Sequence, residues 1–140
     1  MIRSFLSAYK KNEKGTTAVE FGLISVSFLT LLAGLFETGR FMMAMNTFQY
    51  AVENATRYAQ VQTGMSESQL EDAMTDMIEE EMTGLAFDGD PELDISFSTT
   101  GGVTFVEVDG FYTFTPMITV LPDRWTTLPI RAKSRQPLSS

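Results

Sequence analysis

From Phe21 to Phe36 the chain carries no charged side chain, and beyond Arg40 polar residues begin to alternate with apolar ones at a helical interval. As a helix, the stretch from Ala18 to Phe36 spans roughly 28 Å at 1.5 Å per residue, close to the hydrocarbon thickness of a bilayer. A membrane helix is therefore predicted, with Glu20 near its start. Phe41, Met45, Phe48, Val52, Ala55 and Ala59 then step by four, three, four, three and four, which puts them on one face of a helix that continues to about Thr63, with Gly34 or Gly39 as candidate bends. Such a stripe packs on a protein's own domain more often than on a partner helix.

Ser66 is placed as an N-cap, with Gln69 completing a capping box, and opens a second helix whose buried face reads Leu70, Met74, Met77, Ile78 and Met82, with Gly84 as its stop. The period then changes from 3.6 to 2. Leu93, Ile95 and Phe97 alternate with polar residues, and a second run begins at Val103 after Gly101-Gly102, the pattern of a two-residue hairpin. Closing the turn on those glycines pairs Phe97 with Val106 and Ile95 with Val108, so apolar side chains of both strands share a face; the same register sets Asp94 opposite Asp109, a like-charge penalty. Leu128, Ile130 and Ala132 suggest a further strand after the loop from Pro116 to Pro129.

The expected fold is thus α+β, with a long N-terminal helix, a second short helix and a small antiparallel sheet. The expected organisation is a basic leader over 1–15, a transmembrane helix over 16–40, its amphipathic extension over 41–63 and an exported α+β domain over 64–140. With 140 residues, one modest core is the most the chain can build. Cysteine and histidine are both absent, which removes thiolate nucleophiles, imidazole bases and the usual zinc ligand sets. An enzyme would need carboxylates alone, and no acid pair sits on a recognisable cleft-forming scaffold. No enzymatic role and no cofactor is expected.

Charge distribution adds the topology. Arg3, Lys10, Lys11 and Lys14 make the start of the chain basic, whereas no basic residue occurs between Arg57 and Arg124. The positive-inside bias places the N-terminus in the cytoplasm and everything after Arg40 outside. The acidic region repels nucleic acid, so none is expected as a partner. A secretory signal peptide is the nearest competing reading, but no A-x-A-like cleavage site stands between Phe28 and Gly39, and a carboxylate at Glu20 weakens an ordinary apolar core.

Glu20 carries the most chemistry. An ionisable group entering a membrane costs about 3 kcal/mol on insertion scales and usually has a partner, the plainer alternative being snorkelling to the interface. In Lys14-Gly15-Thr16-Thr17-Ala18-Val19-Glu20-Phe21, cleavage after Gly15 makes Thr16 a new N-terminus and sets its ammonium one helical turn from the Glu20 carboxylate. Ala18 and Gly22, four apart, could admit close approach of another helix.

Basic leader, Gly15, Glu20 and apolar run together resemble prepilin signal peptides, and Gly15-Thr-Thr-Ala-Val-Glu-Phe-Gly-Leu-Ile24 is similar to the start of the TadE-like pseudopilins of tight-adherence (Flp) pilus systems. The resemblance continues through Phe36-Glu-Thr-Gly-Arg40, Ala55-Thr-Arg-Tyr-Ala59, Tyr112-Thr-Phe-Thr-Pro116 and Leu128-Pro-Ile-Arg-Ala132. It implies cutting by a prepilin peptidase between Gly15 and Thr16, and pairing of Glu20, next to Phe21, with the N-terminal ammonium of its own or a neighbouring subunit. It further implies other pilins or pseudopilins, the inner-membrane assembly platform and the lipid bilayer as partners, and the bacterial inner membrane or the pilus as location. Ser25-Val-Ser27 stands where TadE-like proteins often carry a proline, and Phe21 where major Flp pilins have tyrosine; with a chain longer than a major pilin, these departures imply a minor component. The alternative is an uncleaved, membrane-anchored binding module with an acidic extracytoplasmic domain.

Other candidates are weaker. Asp88, Asp90, Glu92 and Asp94 offer oxygen ligands of the kind calcium prefers, outside any EF-hand pattern; an acidic turn is the commoner explanation. The acids of the second helix read as a solvated face. Arg131, Lys133 and Arg135 share one face of the last strand, where they guard an exposed edge or meet an acidic surface on another subunit. Trp125, in the loop, takes no assigned role.

Overall fold

The computed structural model describes residues 13–83, 87, 89–118 and 127–138. Arg3, Lys10, Lys11, Gly84, Asp88, Pro122 and Trp125 lie outside these residues. The chain divides into two compact units, Met1–Phe36 and Glu37–Ser140. Its elements are helix α1 (Glu13–Val61), helix α2 (Glu67–Glu81) and strands β1 (Glu92–Thr100), β2 (Val103–Phe114) and β3 (Leu128–Pro137), the α+β arrangement expected.

In the first unit α1 contains no proline, and its large apolar side chains are exposed, Phe21 at 72% and Leu31 at 62%. The hydroxyls interrupting this apolar surface donate to carbonyls one turn back: Ser25 to Phe21 at 2.7 Å, Ser27 to Leu23 at 3.2 Å and Thr30 to Val26 at 2.9 Å. Hydroxyls satisfied within the helix add little polarity to a lipid-facing surface. Where Ser25-Val-Ser27 replaces a proline, the backbone hydrogen bonding of a helix is also kept.

In the second unit the rest of α1 buries Arg40, Ala44, Phe48, Ala51, Val52, Ala55, Thr56 and Ala59. The stripe is therefore shifted from the expected one: Ala44 is inside, whereas Met45 is 41% exposed. Met45 lies roughly 60° round the helix from Phe48 and falls on the flank, because small residues, not the most hydrophobic ones, define the closest face. The helix ends at Val61, two residues short of the expected limit, and Gly64 follows with a positive φ.

The sheet is antiparallel in the order β1-β2-β3. Gly101 and Gly102 have φ of 61° and 82°, the two left-handed positions a type I′ hairpin demands. The register pairs Ile95 with Val108 and Phe97 with Val106, and sets Asp94 against Asp109, as the alternation predicts. Val106, Val108, Tyr112 and Phe114 of β2 and Ile130, Ala132 and Ser134 of β3 are buried, whereas the apolar residues of β1 are half-buried. Gly110 fits beneath α1: a Cβ there would stand 2.6 Å from Phe48 Cζ. Aromatic edges complete the core, with Phe41 against Phe114 and Phe48 against Tyr112 at centroid distances of 5.5 and 6.3 Å.

The capping box of α2 forms, with Gln69 N–H donating to Ser66 Oγ at 3.3 Å and Ser66 N–H to Gln69 Oε1 at 3.0 Å. Leu70, Met74, Ile78 and Met82 are buried, and Met77 is half-buried.

Candidate functional site

Gly15, Thr16, Ala18, Glu20, Phe21 and Gly22 all lie on exposed turns of α1. Thr16 and Glu20 are four apart, so their Cβ atoms share a helix face. Glu20 makes no ion pair among the described residues. Ala18 and Gly22 likewise share a face, and a Cβ added at Gly22 would meet nothing within 4 Å, so the helix surface is open to close approach there.

The next feature is one that periodicity alone does not reveal. Glu37, the first charged residue after the apolar run, is a junction of three hydrogen bonds. Its Oε2 accepts from Arg40 Nη1 at 2.8 Å, and its Oε1 from the backbone N–H groups of Met117 and Ile118 at 3.1 and 3.2 Å. The Arg40 guanidinium also lies 5.1 Å from the centre of the Phe114 ring, which joins charge pairing to cation–π attraction. The signal in the sequence is a Glu-x-x-Arg pair at helical spacing immediately beyond an uncharged run; the loop it holds is eighty residues away.

The cations of the last strand share the outer face of this edge strand, as expected, and the sheet itself supplies partners for them. Arg131 Nε donates to Asp109 Oδ1 at 2.8 Å, with a second guanidinium contact to the same carboxylate. Lys133 Nζ stands 2.6 Å from Glu107 Oε1, and Arg135 Nε 3.8 Å from Glu107 Oε2. The β2–β3 register sets Lys133 opposite Asp109 and Arg131 opposite Phe111, so these two cations lean diagonally, within reach for long side chains. The row is thus paired with its own sheet. It also offsets the Asp94–Asp109 repulsion. The hydrogen bond from Lys133 holds the Glu107 carboxyl below its ordinary range, and that from Arg131 does the same for Asp109 and raises Arg131.

Among the described residues no group of three or more acidic side chains is placed to hold a metal ion. Asp90, Glu92 and Asp94 are exposed, and Asp88 lies outside the described residues.

The helix that carries Gly15, Glu20, Glu37 and Arg40 also carries a family signature. Residues 15–57 match the family of TadE-like proteins. The match to the family of TadE-like proteins begins at Gly15 and closes at Arg57, so both the N-terminal motif and Phe36-Glu-Thr-Gly-Arg40 fall within the TadE-like segment. The Tyr112–Pro116 and Leu128–Ala132 strings lie beyond it, and there the resemblance rests on the sequence reading alone. No curated protein and no solved structure matches the chain. The match is to a pilus-associated family, and the helix that carries it is long and apolar enough to cross a membrane.

Proposed function

We propose that the chain is a minor pilin or pseudopilin that acts in assembly of a tight-adherence (Flp) pilus, once a prepilin peptidase has cut between Gly15 and Thr16. The observation that carries this reading is that the TadE-like match starts at the same glycine that the leader, the carboxylate and the apolar run single out. Cleavage would release the basic leader and leave residues 16–40 as the inner-membrane anchor, with 41–63 extending it and 64–140 on the extracytoplasmic side. The new ammonium of Thr16 stands four residues from Glu20, where attraction to a cation makes a carboxylate tolerable at the lipid edge. Phe21 begins the lipid-facing surface. Ala18 and Gly22 supply a surface on which a helix of another pilin can pack. Partners are then the peptidase, other pilins or pseudopilins and the inner-membrane assembly platform.

N-terminal sequencing of the membrane-extracted protein tests the proposal. The expected mature terminus is Thr16, and a Gly15→Leu variant is expected to retain the leader and fail to support piliation. A wild-type protein that keeps its leader in piliated cells overturns it.

A further inference from the structure

The geometry points to a second contact with the bilayer: the Met117–Ile118 turn, held by the Glu37 carboxylate, lies in the headgroup layer. This rests on the membrane-anchor part of the proposed function and on nothing about cleavage or filament assembly.

Three observations carry it. First, the side chains at this turn are apolar and outward, Met117 63% and Ile118 42% exposed, although exposed turns ordinarily favour small and polar residues. Second, both of their backbone N–H groups are spent on Glu37 Oε1, so immersion leaves no unsatisfied donor at either residue, the usual obstacle to placing irregular backbone near lipid. The carboxylate itself is neutralised by Arg40, and the two side chains are only 13% and 8% exposed. Third, depth is set by the chain. Glu37 directly follows the uncharged run that ends at Phe36, one 1.5 Å helical step away. The headgroup region occupies roughly 5–8 Å on each side of the hydrocarbon. Amides within 3.2 Å of the Glu37 carboxylate are held at that level.

The following helical turn agrees. Met42 and Met43 are 53% and 60% exposed, and no charge follows Arg40 until Glu53. The lipid recognised is the headgroup–acyl boundary of a bilayer, because the two described side chains of the turn, Met117 and Ile118, are apolar. A wedge of this kind adds a second point of attachment.

The chain contains no cysteine, so single thiol labels can be placed at will. Met117→Cys, Ile118→Cys, Phe28→Cys and Ser98→Cys variants of the full chain would carry an environment-sensitive fluorophore in phosphatidylcholine nanodiscs. Spin labels would be placed on the lipid headgroup, near the glycerol or at the acyl-chain end. At Met117 and Ile118 we expect loss of emission with the headgroup and glycerol labels but not the chain-end label. At Phe28 the chain-end label should quench, and at Ser98 none should. Substituting Glu37→Ala should abolish quenching at Met117 and leave Phe28 unchanged. Unchanged quenching in that variant overturns the tether. Met117 and Ile118 probes that behave like Ser98 while Phe28 is quenched overturn the second contact and leave the anchor standing. Blue-shifted emission at the turn without quenching by any lipid label identifies a protein surface as its occupant and likewise overturns it. If Phe28 is unquenched too, the anchor reading fails.

Discussion

The bond between Thr56 and Ser134 ties α1 to the last strand through two buried hydroxyls, and its removal separates the cost of losing a hydrogen bond from that of stranding one partner. Thr56 Oγ1 lies 2.8 Å from Ser134 Oγ, 2.9 Å from the Glu53 carbonyl and 3.1 Å from the Val52 carbonyl. Carbonyls only accept, so the single proton of Thr56 serves its own helix and Ser134 donates across to Thr56. Ser134→Ala removes that donor but leaves Thr56 bonded to the helix, at about 1 kcal/mol. Thr56→Val leaves the Ser134 hydroxyl buried without an acceptor and costs about 1–3 kcal/mol. The double variant replaces both hydroxyls by apolar groups of similar shape and recovers most of that loss. Thermal unfolding of the full chain in detergent, followed by circular dichroism, reads these differences. For a domain of this size about 1 kcal/mol moves the Tm by roughly 4–8 °C. The double variant should therefore melt above Thr56→Val alone. Additivity of the two single effects to within about 0.5 kcal/mol would refute the coupling of the two hydroxyls.

Gly110→Ala drives a methyl into the buried Phe48 ring and should cost about 1–3 kcal/mol; in a Phe48→Leu background, measured by the same melts, the penalty should shrink because the distal ring carbon is gone. Glu107 and Asp109 have carboxyls held below their ordinary range by Lys133 and Arg131, so their contribution to stability is complete above that range and lost as the pH falls through their lower folded values. Melts taken down the acid limb should show a shallower pH dependence in the Glu107→Gln/Asp109→Asn variant, and an unchanged slope would count against the pairing. Glu20→Ala should still insert into membranes, read by carbonate extraction, yet lose piliation by electron microscopy; normal piliation would remove Glu20 from assembly.

Hairpin register and helix positions were legible because each follows from local rules. The paired glycines set the turn, the alternation then fixed Ile95 against Val108, and Ser66 with Gln69 announced the start of α2. What escaped was set by partners distant in sequence. The 4-3-4-3-4 spacing put Met45 on the stripe, yet close packing of α1 in the core buries the smaller Ala44 instead. The Arg131, Lys133 and Arg135 row looked unmatched because the β2–β3 register follows a loop with no turn signature, so Glu107 and Asp109 could not be assigned to it. Glu37 was visible only as part of a motif, since its partners in the loop are the backbone amides of Met117 and Ile118, which no side-chain pattern announces. For the N-terminal site the sequence was the better guide. Gly15, Thr16 and Glu20 are singled out by spacing, and the role proposed for them begins only when a peptide bond is cut.

The balanced charge on the sheet leaves the domain's acidity concentrated elsewhere. Three of its cations, Arg131, Lys133 and Arg135, are engaged by Glu107 and Asp109, whereas Glu67, Glu71, Asp72, Asp76, Glu79, Glu80 and Glu81 crowd the outward side of α2. Within a Debye length of about 10 Å at 0.1 M salt, this concentration of negative charge repels other acidic surfaces, and added electrolyte would blunt it without touching a single apolar contact.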